Sequence, residues 1–378
     1  MAASWRYKLN MTSLIVLRRL TTQRLIGPQF ATPADAVSFF GAVQGQDLLP
    51  AMWALGLRVR DATEALIEQA TFDRQLVRTW PLRNTVHFVA PADIRWMLEL
   101  SAPRALKENA RQRELGLDEA TFAQARRIID HALRDGQPQP RQVLRQALDD
   151  AGVSTEGQRG IHILGRLAQE GLICMGPRAG KQPTFVLIDA WIPPAKPLTR
   201  DEALAELARR YFISHGPATI QDYIWWCGLA AAEARAGLEM VKSQLAHETI
   251  GKQVYWFDPA TNVGDIAPSP VAHLLPFLDE YVVAYKDRGA IAPPAYNKLV
   301  DSGNIIFHQP ILIEGRMVGI WTRKLNKDSV VISTQYFRPL AADEEDALRA
   351  AGQRYGTFLG LTAEFAPPQF VDSSRSLP

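Results

Sequence analysis

The chain has 378 residues, of which 47% are hydrophobic and 22% charged, with 25 glycines and 25 prolines. That profile excludes a disordered chain and allows a large core, and no stretch approaches the roughly 18 apolar residues of a membrane span. The formal net charge of +2 makes no case for a nucleic-acid partner by itself, although basic groups can still gather on one face.

Cys174 and Cys227 are far apart and lack ligand spacing. This argues against a disulfide framework and a structural zinc, and fits a reducing cytoplasm. The apolar run Leu14 to Leu17 is too short for a secretory signal and meets Arg18 and Arg19 at once. Met11 is an alternative start.

Residues 11–26 have a helical pattern. Thr32, Pro33 and Asp35 then spell a helix start, and the spacing predicts a helix through Ala36, Phe39, Phe40 and Val43. A third helix begins near Leu48, and a fourth covers Asp61 to Phe72. Residues 76–89 switch to a strand pattern. Helices followed by a hairpin is the order of a winged helix. The order recurs with helices at 119–135, 140–150 and 157–170, the last carrying Ile161, Ile163, Leu164 and Leu167 at helical spacing. Two strands follow around a basic turn with Arg178 and Lys181. A third round has helices at 200–214, from 218, and at 229–245, then a strand pair over Thr249 to Phe257.

From about 270 the pattern turns strand-like, over Leu274 to Tyr285, Gly303 to Glu314, Met317 to Arg323 and Ser329 to Phe337, with a late helix from Asp343 to Gly352. The expected fold class is α+β: winged-helix units over 11–98, 99–195 and 196–265, a mostly β closing unit over 266–360, and a loose tail over 361–378.

Four stretches carry a family resemblance. They are Val43-Gln44-Gly45-Gln46-Asp47 with Trp53, Leu55 and Arg58; Arg78 to His87; Gly216 to Thr219 with Asp222, Trp225 and Trp226; and Leu274 to Tyr281 through Lys286-Asp287-Arg288, with Gly315-Arg316 to Trp321 after it. In that order they resemble the AlkZ/YcaQ family of bacterial DNA glycosylases over roughly residues 12–355. The resemblance implies three tandem winged helices, a β-rich closing unit, and excision of bulky or crosslinked N-alkylated purines from duplex DNA. It also implies an active-site Gln-x-Gln motif at Gln44 and Gln46. The middle residue there is usually aliphatic, and here it is Gly45, which would loosen a helix by about 1 kcal/mol relative to Ala.

The chemistry is consistent. An alkylated purine is already cationic, so its departure needs no proton, and an amide pair can fix an attacking water. Residues two apart on a helix point about 200° apart, so Gln44 and Gln46 converge only on extended or turning backbone, expected at a helix end. Asp47 is the nearest carboxylate to a developing sugar cation. Arg83 is a candidate to hold a phosphate or orient the pair, and His87 to touch the lesion or a phosphate. Arg159 and His162 on the second unit's recognition helix, with Arg178 and Lys181 on its wing, are candidate DNA contacts. Trp225 and Trp226 are expected in the core, His215 at a helix C-terminus, and one of Asp279 and Glu280 buried on a strand. The expected enzyme is a monomeric, cytoplasmic, nucleoid-associated glycosylase with no metal or cofactor. The alternatives are a non-catalytic winged-helix DNA-binding protein, such as a transcriptional regulator, and a protein-interaction scaffold.

Overall fold

The computed structural model describes residues 11–107, 110–261, 270–292 and 308–370. Short local signals set many helix ends. Thr32, Thr199 and Thr219 each cap a helix and exchange bonds with an acidic residue three positions on, Asp35, Glu202 and Asp222. In chain order the first part contains α1 (Met11–Thr22), α2 (Pro33–Phe40), β1 (Ala42–Gln44), α3 (Leu48–Gly56), α4 (Glu64–Phe72), β2 (Val77–Leu82) and β3 (Thr85–Val89). Next come α5 (Ile94–Lys107), α6 (Ala110–Glu114), α7 (Glu119–Ala132), β4 (Gln139–Pro140), α8 (Arg141–Asp150), α9 (Arg159–Gln169), β5 (Ile173–Ala179), β6 (Gln182–Leu187) and α10 (Ile188–Trp191). A third set holds α11 (Arg200–His215), α12 (Ile220–Cys227), α13 (Ala231–Val241), β7 (Ala246–Ile250) and β8 (Gln253–Phe257). The closing part holds β9 (Ala272–Leu274), α14 (Glu280–Val283), β10 (Pro310–Ile313), β11 (Arg316–Leu325), β12 (Ser329–Tyr336), α15 (Ala342–Leu359), β13 (Thr362–Phe365) and β14 (Gln369–Phe370).

The mixed helix and strand content matches the α+β expectation. The first two hairpins do not stand apart as separate wings. They join in one six-stranded sheet of order β1-β3-β2-β5-β6-β4, linked through the Arg78–Met175 pairing. A second sheet runs β13-β12-β11-β10-β9, with β14 also on β12, and β7-β8 stands as a separate hairpin.

Several expectations need correction. Gly41, at φ +78, ends α2 after Phe40, so Val43 lies on a strand facing β3 and not on the helix. Within the Leu274 to Tyr285 stretch only Leu274 is in a strand; Asp279 caps the short helix α14 by accepting from the Tyr281 amide. Residues 362–365 and 369–370 are not a loose tail, because both pair with β12; residues 371–378 lie outside the described residues. So do residues 303–307 of the expected Gly303 to Glu314 strand, whose described residues include β10. Helix α5 was not anticipated, and it runs unbroken across residues 98 and 99, where a boundary was expected. Ile161 sits on the outer face of α9, 52% exposed, although its spacing suggested the core.

Two apolar cores result. The larger draws on the first, third and closing parts, with Phe40, Trp53, Tyr211, Trp226, Tyr281 and Trp321 among its largest members. The smaller belongs to α7, α8, α9 and the β5-β6 hairpin, around Phe122, Ile129, Leu148, Leu164 and Phe185. Inside the larger body Arg58 makes a two-pronged bond to Asp279, at 2.8 Å on each side, and also reaches Gln23 and the Ala54 carbonyl. That pair ties α3 to α14 across the chain.

Candidate active site

Strand β1 pairs with β3 so that Gln44 stands opposite His87. The strand ends at Gln44, the Gly45 amide continues the pairing by donating to the Val86 carbonyl at 2.8 Å, and residues 46 and 47 form a bend before α3. The motif therefore lies at a strand end, and Gly45 is in no helix to loosen. A Cβ at Gly45 would meet the backbone of His87 and Phe88 at 3.2 Å, so small size here permits close approach to β3.

The two glutamines are held differently. Gln44 is 6% exposed. Its side-chain oxygen accepts from the amides of Gly45 at 2.9 Å and Gln46 at 3.1 Å. Its own backbone N–H donates to Glu280 Oε1 at 2.7 Å. Gln46 is exposed, and its side-chain oxygen accepts from the Val86 amide at 3.2 Å. Arg78 donates to the Gly45 carbonyl at 2.7 Å, and burial lowers its pKa to about 10. Arg78 also lines a cleft of about 530 Å³ with Leu48, Met52, Phe72 and Arg178.

Glu280 is the hub beneath this strand. It is buried, and its second oxygen meets Trp226 Nε1 at 3.1 Å and His215 Nε2 at 3.3 Å. Burial pushes its pKa up, but the His215 contact, the His87 ring and the Gln44 amide outweigh that and hold it at about 2. Burial lowers the pKa of His215. His87 is fully buried, and its Nδ1 lies 2.9 Å from the Thr85 carbonyl, which can only accept, so Nδ1 carries the proton. Burial and the nearby Arg83 lower its pKa to about 4, and its Nε2 has no partner.

The other expected residues divide. Asp47 is exposed at the start of α3, and its side chain caps nothing. Arg83 sits at the β2-β3 turn with φ +51, and burial lowers its pKa. No salt bridge holds it among the described residues. Arg159 bonds the carbonyls of Ser154 and Leu115 within its own part of the chain, and His162 lies half-buried on α9. Arg178 is paired with Glu64 and Glu68 of α4, and Lys181 is exposed at the β5-β6 turn. Trp225 and Trp226 separate: Trp226 is buried, while Trp225 is 39% exposed. Asp279 and Glu280 are both buried, where only one was expected, because they open a helix and do not alternate along a strand. The thiols of Cys174 and Cys227 are free, and burial pushes each up to about 12. No helix among the described residues is long and apolar enough to cross a membrane.

Sequence reading missed the hub role of Glu280 and its link to His215 and Gln44, which lie 65 and 236 positions away from it. Its available signal was the Leu-Asp-Glu-Tyr stretch, which marks the residue but not its partners.

Comparison with known proteins adds three findings. A family model described as DNA glycosylase AlkZ-like matches residues 37–358. An interstrand DNA cross-link repair glycosylase of Streptomyces sahachiroi is 26% identical over 349 residues, covering 85% of this chain and 88% of the relative. The solved structure of the Streptomyces sahachiroi DNA glycosylase AlkZ superposes with a TM-score of 0.76 at 20% identity, covering 98% of this chain and 100% of that one, and speaks for the fold.

Proposed function

The chain belongs to the DNA glycosylase AlkZ-like family, and from that footing we propose that it hydrolyses the N-glycosidic bond of alkylated purines in duplex DNA, bulky or crosslinked N7-alkylguanine included. Gln44 and Gln46 place the attacking water. The observation that carries this reading is the strand end itself, where an anchored Gln44 lies beside an exposed Gln46.

Gln44 fixes its side-chain oxygen on two backbone amides and donates one N–H to Thr85 Oγ1 at 3.5 Å, which leaves its second N–H for the site. Gln46 keeps its N–H groups and a second oxygen lone pair. A water that donates to Gln46 and accepts from Gln44 is oriented without a strong base. That suffices for a cationic leaving group, and it disfavours normal bases, whose departure needs a proton. As the base leaves, positive charge grows on the sugar. Ionised Glu280 beneath the strand, and Asp47 at its end, supply the opposite charge.

The three successions of helices and hairpin, ending in β2-β3, β5-β6 and β7-β8, support three winged-helix units clasping one duplex as a monomer. Exposed Lys181 and half-exposed His162 are available for phosphate contact. Arg159 and Arg178 shape the surface on which those contacts form, Arg178 by fastening the second hairpin to α4. The place of action is the cytoplasm, at the nucleoid.

The test is a duplex with one N7-alkylguanine, incubated with protein and then treated with mild alkali to cut abasic sites. Wild type cuts, and Gln44→Ala and Gln46→Ala each lose about a hundredfold or more in rate, as expected when a reacting group is misplaced. Equal cutting by all three proteins would remove the glutamines from catalysis.

A further inference from the structure

We propose that Arg83 and Arg288, whose guanidiniums both lie against the exposed Trp225 ring, seat one backbone phosphate of the damaged strand beside the target nucleotide. This rests on the glycosylase reading of the neighbouring glutamine pair.

The cluster is built from three regions of the chain. Arg83 comes from the β2-β3 turn, Trp225 from α12, and Arg288 from the segment after α14. The Arg83 guanidinium lies 5.9 Å from the Trp225 ring centre and that of Arg288 lies 5.5 Å from it. The ring is fixed by its own N–H, which donates to the Val283 carbonyl at 2.9 Å. Arg83 is fixed by its turn, where it and Asn84 both take left-handed backbone at φ +51 and +56. It also packs on Gly228, where a Cβ would meet the Arg83 Cγ at 2.7 Å.

Among the described residues no carboxylate is bonded to either arginine, although Glu280 acts on Arg83 and Asp222 and Asp287 act on Arg288. Among the described residues Arg83 makes no hydrogen bond and no ion pair, and its buried Nε has no partner. Arg288 donates Nε to the Val282 carbonyl at 3.0 Å, while its buried Nη2 has none. Asp222, the carboxylate closest in influence to Arg288, is engaged by the amides of Lys286 and Asp287 and by Thr219. Glu280, which acts on Arg83, is engaged by Gln44, His215 and Trp226. Arg83 lowers the pKa of Arg288, second to burial. Two guanidiniums held near each other and partly out of water repel, and an anion between them relieves both. Forked N–H donors match the oxygens of a phosphate, and the exposed part of the Trp225 ring suits a sugar or base of the same nucleotide. The β2-β3 turn that carries Arg83 leads directly into β3, whose His87 pairs with Gln44, so the seat and the glutamine pair share one hairpin.

The experiment replaces the phosphates around an N7-alkylguanine one at a time by neutral methylphosphonates, on a duplex with a 2′-fluoro sugar that blocks cleavage, and reads the Kd. One or two positions are expected to weaken wild type about tenfold, the size of one lost charge-assisted contact. Arg288→Gln and Arg83→Gln are expected to weaken the native duplex by a similar factor and to be indifferent to those same methylphosphonates. Binding of the native duplex by both variants at the wild-type Kd overturns the proposal, and so do methylphosphonate penalties that persist undiminished in the variants. If the variants fail to fold, the wild-type scan decides alone, and a scan with no sensitive position overturns it. Inorganic phosphate that competes at constant ionic strength with wild type but not with Arg288→Gln would assign the seat to a small free anion and overturn the backbone assignment. Because the readout is binding, a wild type that shows the expected scan but cleaves no alkylated duplex sinks the glycosylase reading and leaves the seat standing.

Discussion

The body that carries the glutamine pair and the body built on α7, α8 and α9 are stabilised in different ways. In the smaller body the core is apolar and local, and none of its buried polar side chains is charged: Gln112, Thr155, Gln169 and Thr184. In the larger body Arg19, Arg58, Arg78, Asp93, Asp222, Asp279 and Glu280 are all buried, with His87, His215 and His273. Burying charge is costly unless every partner is in place. A fold that accepts this cost around Gln44 obtains a fixed charge and a fixed backbone where the sugar cation would form. Under the proposed function the smaller body needs only a shaped surface, and apolar packing provides that.

The contrast can be broken most severely at the Arg58–Asp279 pair. Asp279→Ala leaves a buried guanidinium without its two-pronged partner. The expected loss is about 3–5 kcal/mol, read by chemical denaturation, and a loss below 1 kcal/mol would mean the pair is not what ties α3 to α14. In the smaller body the matching change is Leu164→Ala. It removes a fully buried side chain and is expected to cost about 2–4 kcal/mol. Hydrogen exchange should show the loss concentrated in residues 117–187, and equal loosening around Gln44 would show that the two cores unfold as one.

Acid should separate the two bodies next. His87 and His273 have pKa values lowered to about 4 from 6.5, so the unfolded chain binds protons that the folded one refuses. Their contribution is therefore complete above pH 6.5 and is lost as pH falls toward 4. Glu280, held at about 2, adds a further loss as pH falls through the ordinary carboxylate range. The total is a few kcal/mol by order of magnitude. Amides around β1 and β3 should lose exchange protection between pH 6.5 and 4 while those of α7 to α9 keep theirs, and a uniform loss would contradict the contrast. The smallest effect is expected at the join. Arg178→Ala removes a half-exposed link between the β5-β6 hairpin and α4 and should cost about 1 kcal/mol or less. Its signature is faster exchange at the Arg78–Met175 pairing.

Much of this was visible in the residues themselves. The Thr-x-x-acid signals at Thr32, Thr199 and Thr219 mark helix starts because capping is local chemistry. The alternation and spacing over 119–187 predicted three helices and a hairpin where they occur, because that body buries its own faces. The need for non-helical backbone at Gln44 and Gln46 followed from side-chain geometry alone. The same local rules failed where distant partners decide. Val43 continues the apolar pattern of α2, yet pairing with β3 draws it into a strand. Asp279 and Glu280 looked like a strand pair, yet Arg58 and the Gln44 amide, both more than two hundred positions away, hold them at the head of a helix. The sequence thus determined the inventory: the glutamine pair, the helix starts, the hairpins and the residues able to carry charge. Only tertiary structure decided which carboxylate lies under Gln44, why His87 is neutral and sealed, and that Arg83 and Arg288 both come against the Trp225 ring. Those outcomes depend on burial and on contacts between segments far apart in the chain, which no local pattern encodes.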